Sequence, residues 1–453
     1  MHACQKNTVV VSQISDHGRG RDRDEASRFC LTAGRGIVLS LLAAMFLRPA
    51  VMAEEFSLNE SLKAGRLADS EAQLKQLLEK QPKDQQARFS LGLVQFLQAV
   101  EQLGQDHYRY GLLSRRNIGV MLTRLPIPTN PEPQAISYKD ARQIIQRFLD
   151  QLQLAERTLA VVERSNIRLP LDIGLASLDL NGDGKAEENE TLWHIAQAIQ
   201  NPRRTTRTPP ESLSTVLDAA DVPWLQGYCH LLSAVGEIML TYDWKDQFER
   251  TAHLFYPQVN TPYTFLVDES RQVSPPVAFQ NLADVVAFLH TINYQPVEPA
   301  RMKVALQHLE SMITLSRETW TLIDAETDDD HEWLPGQHQK SSTFGIPISA
   351  DVSRSWREFL DEADALLQGK HLAPFWRGVP GGRITSPDRF HSTLGINVRR
   401  LFTDPIRFDL ALWIQGTGLA SVLEEGTITP IDKWASINSA FRGEFFRFFV
   451  WIN

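Results

Sequence analysis

Apolar side chains recur at helical spacing along most of this chain, and that rhythm predicts its elements. Between residues 138 and 163, Ile144, Ile145, Phe148, Leu152, Leu159 and Val162 fall near a 3.6-residue period. Between 299 and 323, Val304, Leu309, Met312, Ile313, Leu315, Trp320 and Ile323 mostly line one face. Further helices are expected over 58–103, 281–292 and 352–367, and over 221–242, with Asp221 as N-cap and Pro223 in the first turn. Strand signals are few, and only 274–279 and 445–452 carry one. The stretch LPIPTNPEPQ at 125–134 cannot be regular helix, because proline lacks the amide hydrogen and clashes with the preceding turn. NPRRTTRTPP at 201–210 reads as a basic connection, and 328–350 and 373–393 read as loops. The pattern predicts an all-α fold: a helical hairpin over 54–124, a proline-rich linker over 125–136, and a larger, irregular helical body over 137–453.

One segment of the hairpin has a more specific spacing. Gly65, Ser70, Leu74, Leu77 and Pro82 are followed by the pair Leu91-Gly92. Small residues at 65, 70 and 92 let two antiparallel helices approach closely, and Pro82 closes the second helix. GRLADSEAQLKQLLEKQPKD resembles a tetratricopeptide repeat, over about one and a half repeats. Ser70 stands where that family usually has alanine, and no third repeat follows. The resemblance implies a helical hairpin packed on the rest of the chain and a face open to a protein partner.

Residues 179–190 read DLNGDGKAEENE and fit D-x-[DN]-x-[DN]-G-x5-E at every fixed position. Calcium is a hard cation that takes six to eight oxygens. Asp179, Asn181 and Asp183 offer side-chain oxygens at alternate positions, and Gly184 permits the sharp turn. Lys185 offers its carbonyl, Glu187 acts directly or through water, and Glu190 closes the shell with both oxygens. The twelve residues are similar to an EF-hand loop, which implies Ca2+ as the ligand. The entering helix must be short, because Pro170 lies nine residues before Asp179. Ala186 stands where such loops usually carry a branched apolar residue for pairing with a second loop, and the acidic stretch 324–335 lacks the glycine and final glutamate of one.

Composition narrows the setting. The chain has 453 residues and a formal net charge of −9, which disfavours nucleic acid, a ligand that needs clustered Lys and Arg. Arg28 and Arg35 flank an apolar run at 36–46, and Val51-Met52-Ala53 follows, the pattern of a signal peptide with the mature chain starting at Glu54. The run is too short for an ordinary membrane span, so export to a periplasm or the exterior is expected, with no membrane span after cleavage. Cleavage of residues 1–53 removes seven Lys/Arg, four Asp/Glu, Cys4 and Cys30, leaving net −12 and Cys229 alone, which lies in an apolar run and reads as buried. An exported chain without disulfides is held by its core or by metal.

Other chemistry is sparse. The run 328–332 (DDDHE), with His338 nearby, offers metal-ligating side chains but reads first as a solvated acidic loop. His230, Glu237 and His253 fall in one helical region without a nucleophile elbow. WRGVPGGR at 376–383 lacks the Lys-Ser/Thr of a phosphate loop. The aromatic-rich end of the chain, including Trp413 and Trp434, is expected to complete the core. Together these features predict an exported calcium-binding protein with a scaffold or protein-binding role. The alternative is an envelope enzyme with a dispersed active site around His331 and His391, stabilised by calcium.

Overall fold

The computed structural model describes residues 56–114, 125–200, 214–267, 277–329, 331–339, 348–378 and 394–440. The leader at 1–53, the expected strand at 445–452 and His391 lie outside these residues. Residues from Phe56 onward form one compact unit.

The unit is mainly helical. The hairpin begins with α1 (Leu58–Lys63), α2 (Leu67–Lys80) and α3 (Gln85–Arg109). Ser57 and Asp84 cap α1 and α3 through their side chains. Gly65 makes the turn between α1 and α2 at φ +67°, a conformation that costs glycine little. After the proline-rich stretch comes α4 (Tyr138–Ala160), opened by a reciprocal Ser137–Asp140 capping box. A two-stranded antiparallel ribbon pairs β1 (Arg168–Leu171) with β2 (Thr215–Asp218), and α5 (Leu192–Gln200) lies between them in sequence. Two long helices follow, α6 (Asp221–Thr241) and α9 (Ala300–Ala325), with α7 (Lys245–Thr251) and α8 (Val277–His290) between them. The chain continues through α10 (Ala350–Leu367), α11 (Val398–Thr403), α12 (Leu410–Gln415) and α13 (Ile431–Ala440). Two further small sheets are three-stranded: β3 (Tyr242–Asp243), β4 (Asn293–Pro296) and β7 (Phe408–Asp409); then β5 (Ala373–Pro374), β6 (Leu394–Ile396) and β8 (Leu423–Glu425).

The fold is therefore helix-dominated rather than purely α, with eight short strands among the described residues that sequence periodicity did not predict. Residues 277–279, expected in a strand, open α8 instead. Asp221 is the first residue of α6, and Ala220 precedes it as the cap.

One hydrophobic core joins the hairpin to α4, β1 and α6 through Phe89, Val94, Ile144, Leu159 and Val222. A second surrounds α9 and α10, centred on Trp320 and Trp356. Trp224 and Trp333 pack against both cores, their rings 5.4 Å apart. Cys229 is buried, and burial pushes its thiol well above the usual range. Among the described residues no helix is long and apolar enough to cross a membrane.

Candidate metal centre

The loop at 179–190 is approached through β1 and a single 3-10 turn, Ile173–Leu175, in place of an entering helix. It leaves through a second 3-10 turn, Glu188–Glu190, before α5 starts at Leu192. Its mouth is closed by an antiparallel bridge between Ser177 and Thr191. Leu178 N–H donates to the Glu190 carbonyl at 3.0 Å, and Leu192 N–H to that of Ala176 at 2.9 Å.

Inside, short polar side chains fold the backbone around themselves. Asp179 Oδ1 accepts from the Gly182 and Asp183 amides at 2.7 and 3.1 Å, and Oδ2 from Gly184 at 2.8 Å. Asn181 Oδ1 accepts from Asp183 N–H at 2.8 Å, and Asp183 Oδ1 from Lys185 N–H at 2.9 Å. Gly182 and Gly184 sit at φ +74° and +76°, the left-handed region that a side chain strongly disfavours. Lys185 extends outward, its Nζ 3.4 Å from Asp183 Oδ2. Glu190 is fully buried; its Oε1 accepts from Leu180 N–H at 3.0 Å and its Oε2 from Glu187 N–H at 3.4 Å.

The hairpin backs the loop. Ser177 N–H donates to the Leu62 carbonyl at 3.0 Å. A Cβ on Gly65 would stand 3.6 Å from that of Ala186, so Ala186 meets the α1–α2 turn. The small side chain that the sequence places there is matched to this neighbour. Lys63 Nζ is 2.7 Å from Asp172 just before the loop. From α3, Glu101 Oε2 accepts the Asp179 amide and Gln105 Nε2 donates to the Asp179 carbonyl, both at 2.8 Å.

This arrangement concentrates negative charge. Burial pushes the Glu101 carboxyl up to about 7, partly offset by the Asp179 amide and reinforced by the charges of Asp179 and Glu190. Burial likewise raises Glu190 to about 7, against the Leu180 and Glu187 amides and with Glu187 and Asp179 adding repulsion. Every donor the loop offers is oxygen, which suits a hard divalent cation and excludes soft-ligand chemistry. The loop carboxylates do not all lie within 4.8 Å of one another; among the described residues that grouping occurs at Asp218, Glu326 and Glu332.

That second cluster was not foreseen. Asp218 ends β2, Glu326 follows α9 and Glu332 is buried beyond it, with buried Asp221 alongside. Asp221 Oδ2 accepts the Asp218 amide at 2.8 Å, and Gln339 Nε2 donates to Glu326 Oε2 at 3.0 Å. Burial, then the Asp218 charge, pushes Glu326 up to about 8. The acidic run near 324–332 was visible in the sequence; its partners lie about a hundred residues earlier, joined to it by folding alone. His331 is exposed, and its φ of +70° turns the chain.

The other dispersed candidates each have partners of their own. His230 Nδ1 lies 2.8 Å from His308 Nδ1, and its Nε2 3.6 Å from Glu156. Glu237 pairs with Arg301, and His253 lies 3.5 Å from Asp284. No family model, no curated protein and no solved structure matches this chain.

Proposed function

We propose that this chain is an exported, helix-rich calcium-binding protein, in which one ion bound by residues 179–190 fastens the loop to the N-terminal hairpin. The observation that carries this reading is the donor set itself. Asp179, Asn181, Asp183, the Lys185 carbonyl, Glu187 and Glu190 supply only oxygen, on a backbone that turns left-handed at Gly182 and Gly184. A divalent cation would relieve the mutual repulsion of Asp179, Glu190 and Glu101. The leader pattern at 1–53 supports export, where calcium at about 10⁻⁴–10⁻³ M suffices for a modest site. A single loop braced by a hairpin, rather than paired with a second loop, favours a structural role: the ion stiffens a scaffold whose hairpin remains available to a protein partner.

The test is thermal unfolding of the full chain with calcium and with chelator. A ligand that binds only the folded state at a hundredfold excess over Kd stabilises it by about 2.7 kcal/mol, an upward Tm shift of a few degrees. Glu190→Gln should remove most of the shift while keeping the side chain's volume. An unchanged Tm in the parent protein would end the proposal.

A further inference from the structure

Helix α8 carries its apolar side outward. Its one carboxylate, Asp284, is turned towards His253, with Oδ2 3.5 Å from Nε2. Phe288 packs on the same side, its ring 5.8 Å from that of Phe255 and its carbonyl accepting from Gln247 Nε2 at 3.1 Å. The outer face instead bears Leu282, Val285, Val286 and Leu289, which are 61, 40, 57 and 51% exposed. A surface helix ordinarily does the reverse and turns its polar residues to solvent.

The four residues are spaced i, i+3, i+4, i+7, the stripe by which one helix packs on another. They also form a palindrome: reversing the chain direction exchanges Leu282 with Leu289 and Val285 with Val286. An antiparallel copy of the same helix therefore lays leucine on leucine and valine on valine, about a two-fold axis passing between positions 285 and 286. That is what an isologous interface requires, since residue i must touch j while j touches i. A foreign ligand would impose no such symmetry on the sequence.

Area and charge favour the same occupant. Helix α12 touches α8 and exposes Leu412 and Ile414. The six side chains together offer apolar surface on the order of 500 Å², a patch of the size that marks interaction sites. Buried on both copies, this comes to about 1,000 Å², the lower bound for a specific protein–protein interface. None of the six is charged, so two chains of net charge −9 can meet here without setting like charges opposite one another.

We propose that this face is the contact of a homodimer, in which α8 packs antiparallel on α8 of a second copy. Leu282 lies against the partner's Leu289, and Val285 against the partner's Val286. The inference is independent of the calcium reading, because it draws on no residue of the loop at 179–190.

Sedimentation equilibrium of the full chain tests it. The parent should be a reversible dimer at concentrations between about 1 and 100 µM, the range in which a small apolar interface associates. Leu282→Lys and Leu289→Glu should each weaken association about tenfold or more, with unchanged circular dichroism, because both positions are exposed in the protomer. The double variant Leu282→Lys/Leu289→Glu should associate at least tenfold more tightly than either single variant. Antiparallel pairing sets its lysine beside the partner's new carboxylate twice over, whereas parallel pairing would set like on like. Val161→Lys, at an exposed position beyond the end of α4, should dimerise as the parent does. Every variant keeps the whole chain, so association through any other surface stays constant across the series. A parent that is monomeric throughout would overturn the proposal and leave the stripe to a foreign helix or a lipid surface. Single α8 variants that dimerise like the parent, a double variant no tighter than the singles, or equal weakening by Val161→Lys would overturn it as well.

Discussion

Glu362 shows what a single buried charge does in this protein. It is 1% exposed, between Lys433 Nζ at 2.8 Å and His371 Nδ1 at 2.7 Å, and it also accepts from Thr429. Burial alone would raise its carboxyl; hydrogen bonds from Lys433, Thr429 and His371 outweigh that and hold it below the usual carboxylate range. Glu362→Ala should destabilise the protein by about 3–5 kcal/mol in urea unfolding, because Lys433 and His371 lose the charge they are ordered around. The pH dependence has a definite sign. A depressed folded-state value means that the unfolded chain binds the proton more readily, so Glu362 stabilises fully above the normal carboxylate range. That contribution is lost as pH falls through the folded value, below about 4.5. The parent should therefore lose more stability than Glu362→Gln on acidification in that window. Glu101 and Glu190 act oppositely: their raised values make the folded state weaker as pH climbs from about 4.5 towards 7, unless a cation is bound.

Helices meet closely here because glycines allow it. A Cβ on Gly104 of α3 would lie 2.5 Å from Leu180 Cδ2, inside the loop, and one on Gly92 would lie 2.5 Å from Leu159 Cδ2 on α4. Both leucines are essentially inaccessible to solvent, so neither can swing away cheaply. Gly104→Ala should cost about 1–3 kcal/mol despite the better helix propensity of alanine, and it should blunt any calcium-dependent Tm shift. An unaltered shift would mean that α3 does not brace the loop. Most of these helices were legible in the sequence: α4, α6, α9 and α10 follow apolar periods long enough to register; of the small residues expected between the hairpin helices, Gly92 instead admits Leu159 of α4 and Gly65 serves the α1–α2 turn. The strands were not legible, because two to four residues are too few to show alternation. The residues around 277–279, rich in β-formers, join α8 because the helical run behind them extends forward. For the candidate site, the loop's residues could be read directly, since they are consecutive. Its supports, Glu101, Gln105 and the Leu62 carbonyl, could not, since nothing local ties position 62 or 101 to position 179.

At the scale of the molecule, two cores share one seam. Trp224 on α6 stacks edge-on against Trp333, and each ring touches both hydrophobic clusters. A continuous apolar interior favours a single cooperative transition. Trp224→Ala should split calorimetric unfolding into two overlapping steps, as well as lowering overall stability by about 3–5 kcal/mol; one sharp transition at a lower temperature would show that the clusters are coupled by other contacts. The clasp between hairpin and loop also has a consequence for how the chain comes into being. A ribosome releases α1, α2 and α3 some seventy residues before Asp179 appears. Glu101, Gln105 and the Leu62 carbonyl must therefore wait in water for partners not yet made. The nascent N-terminal piece is a jaw without its bite, and any translation pause or cut ahead of position 179 strands it open.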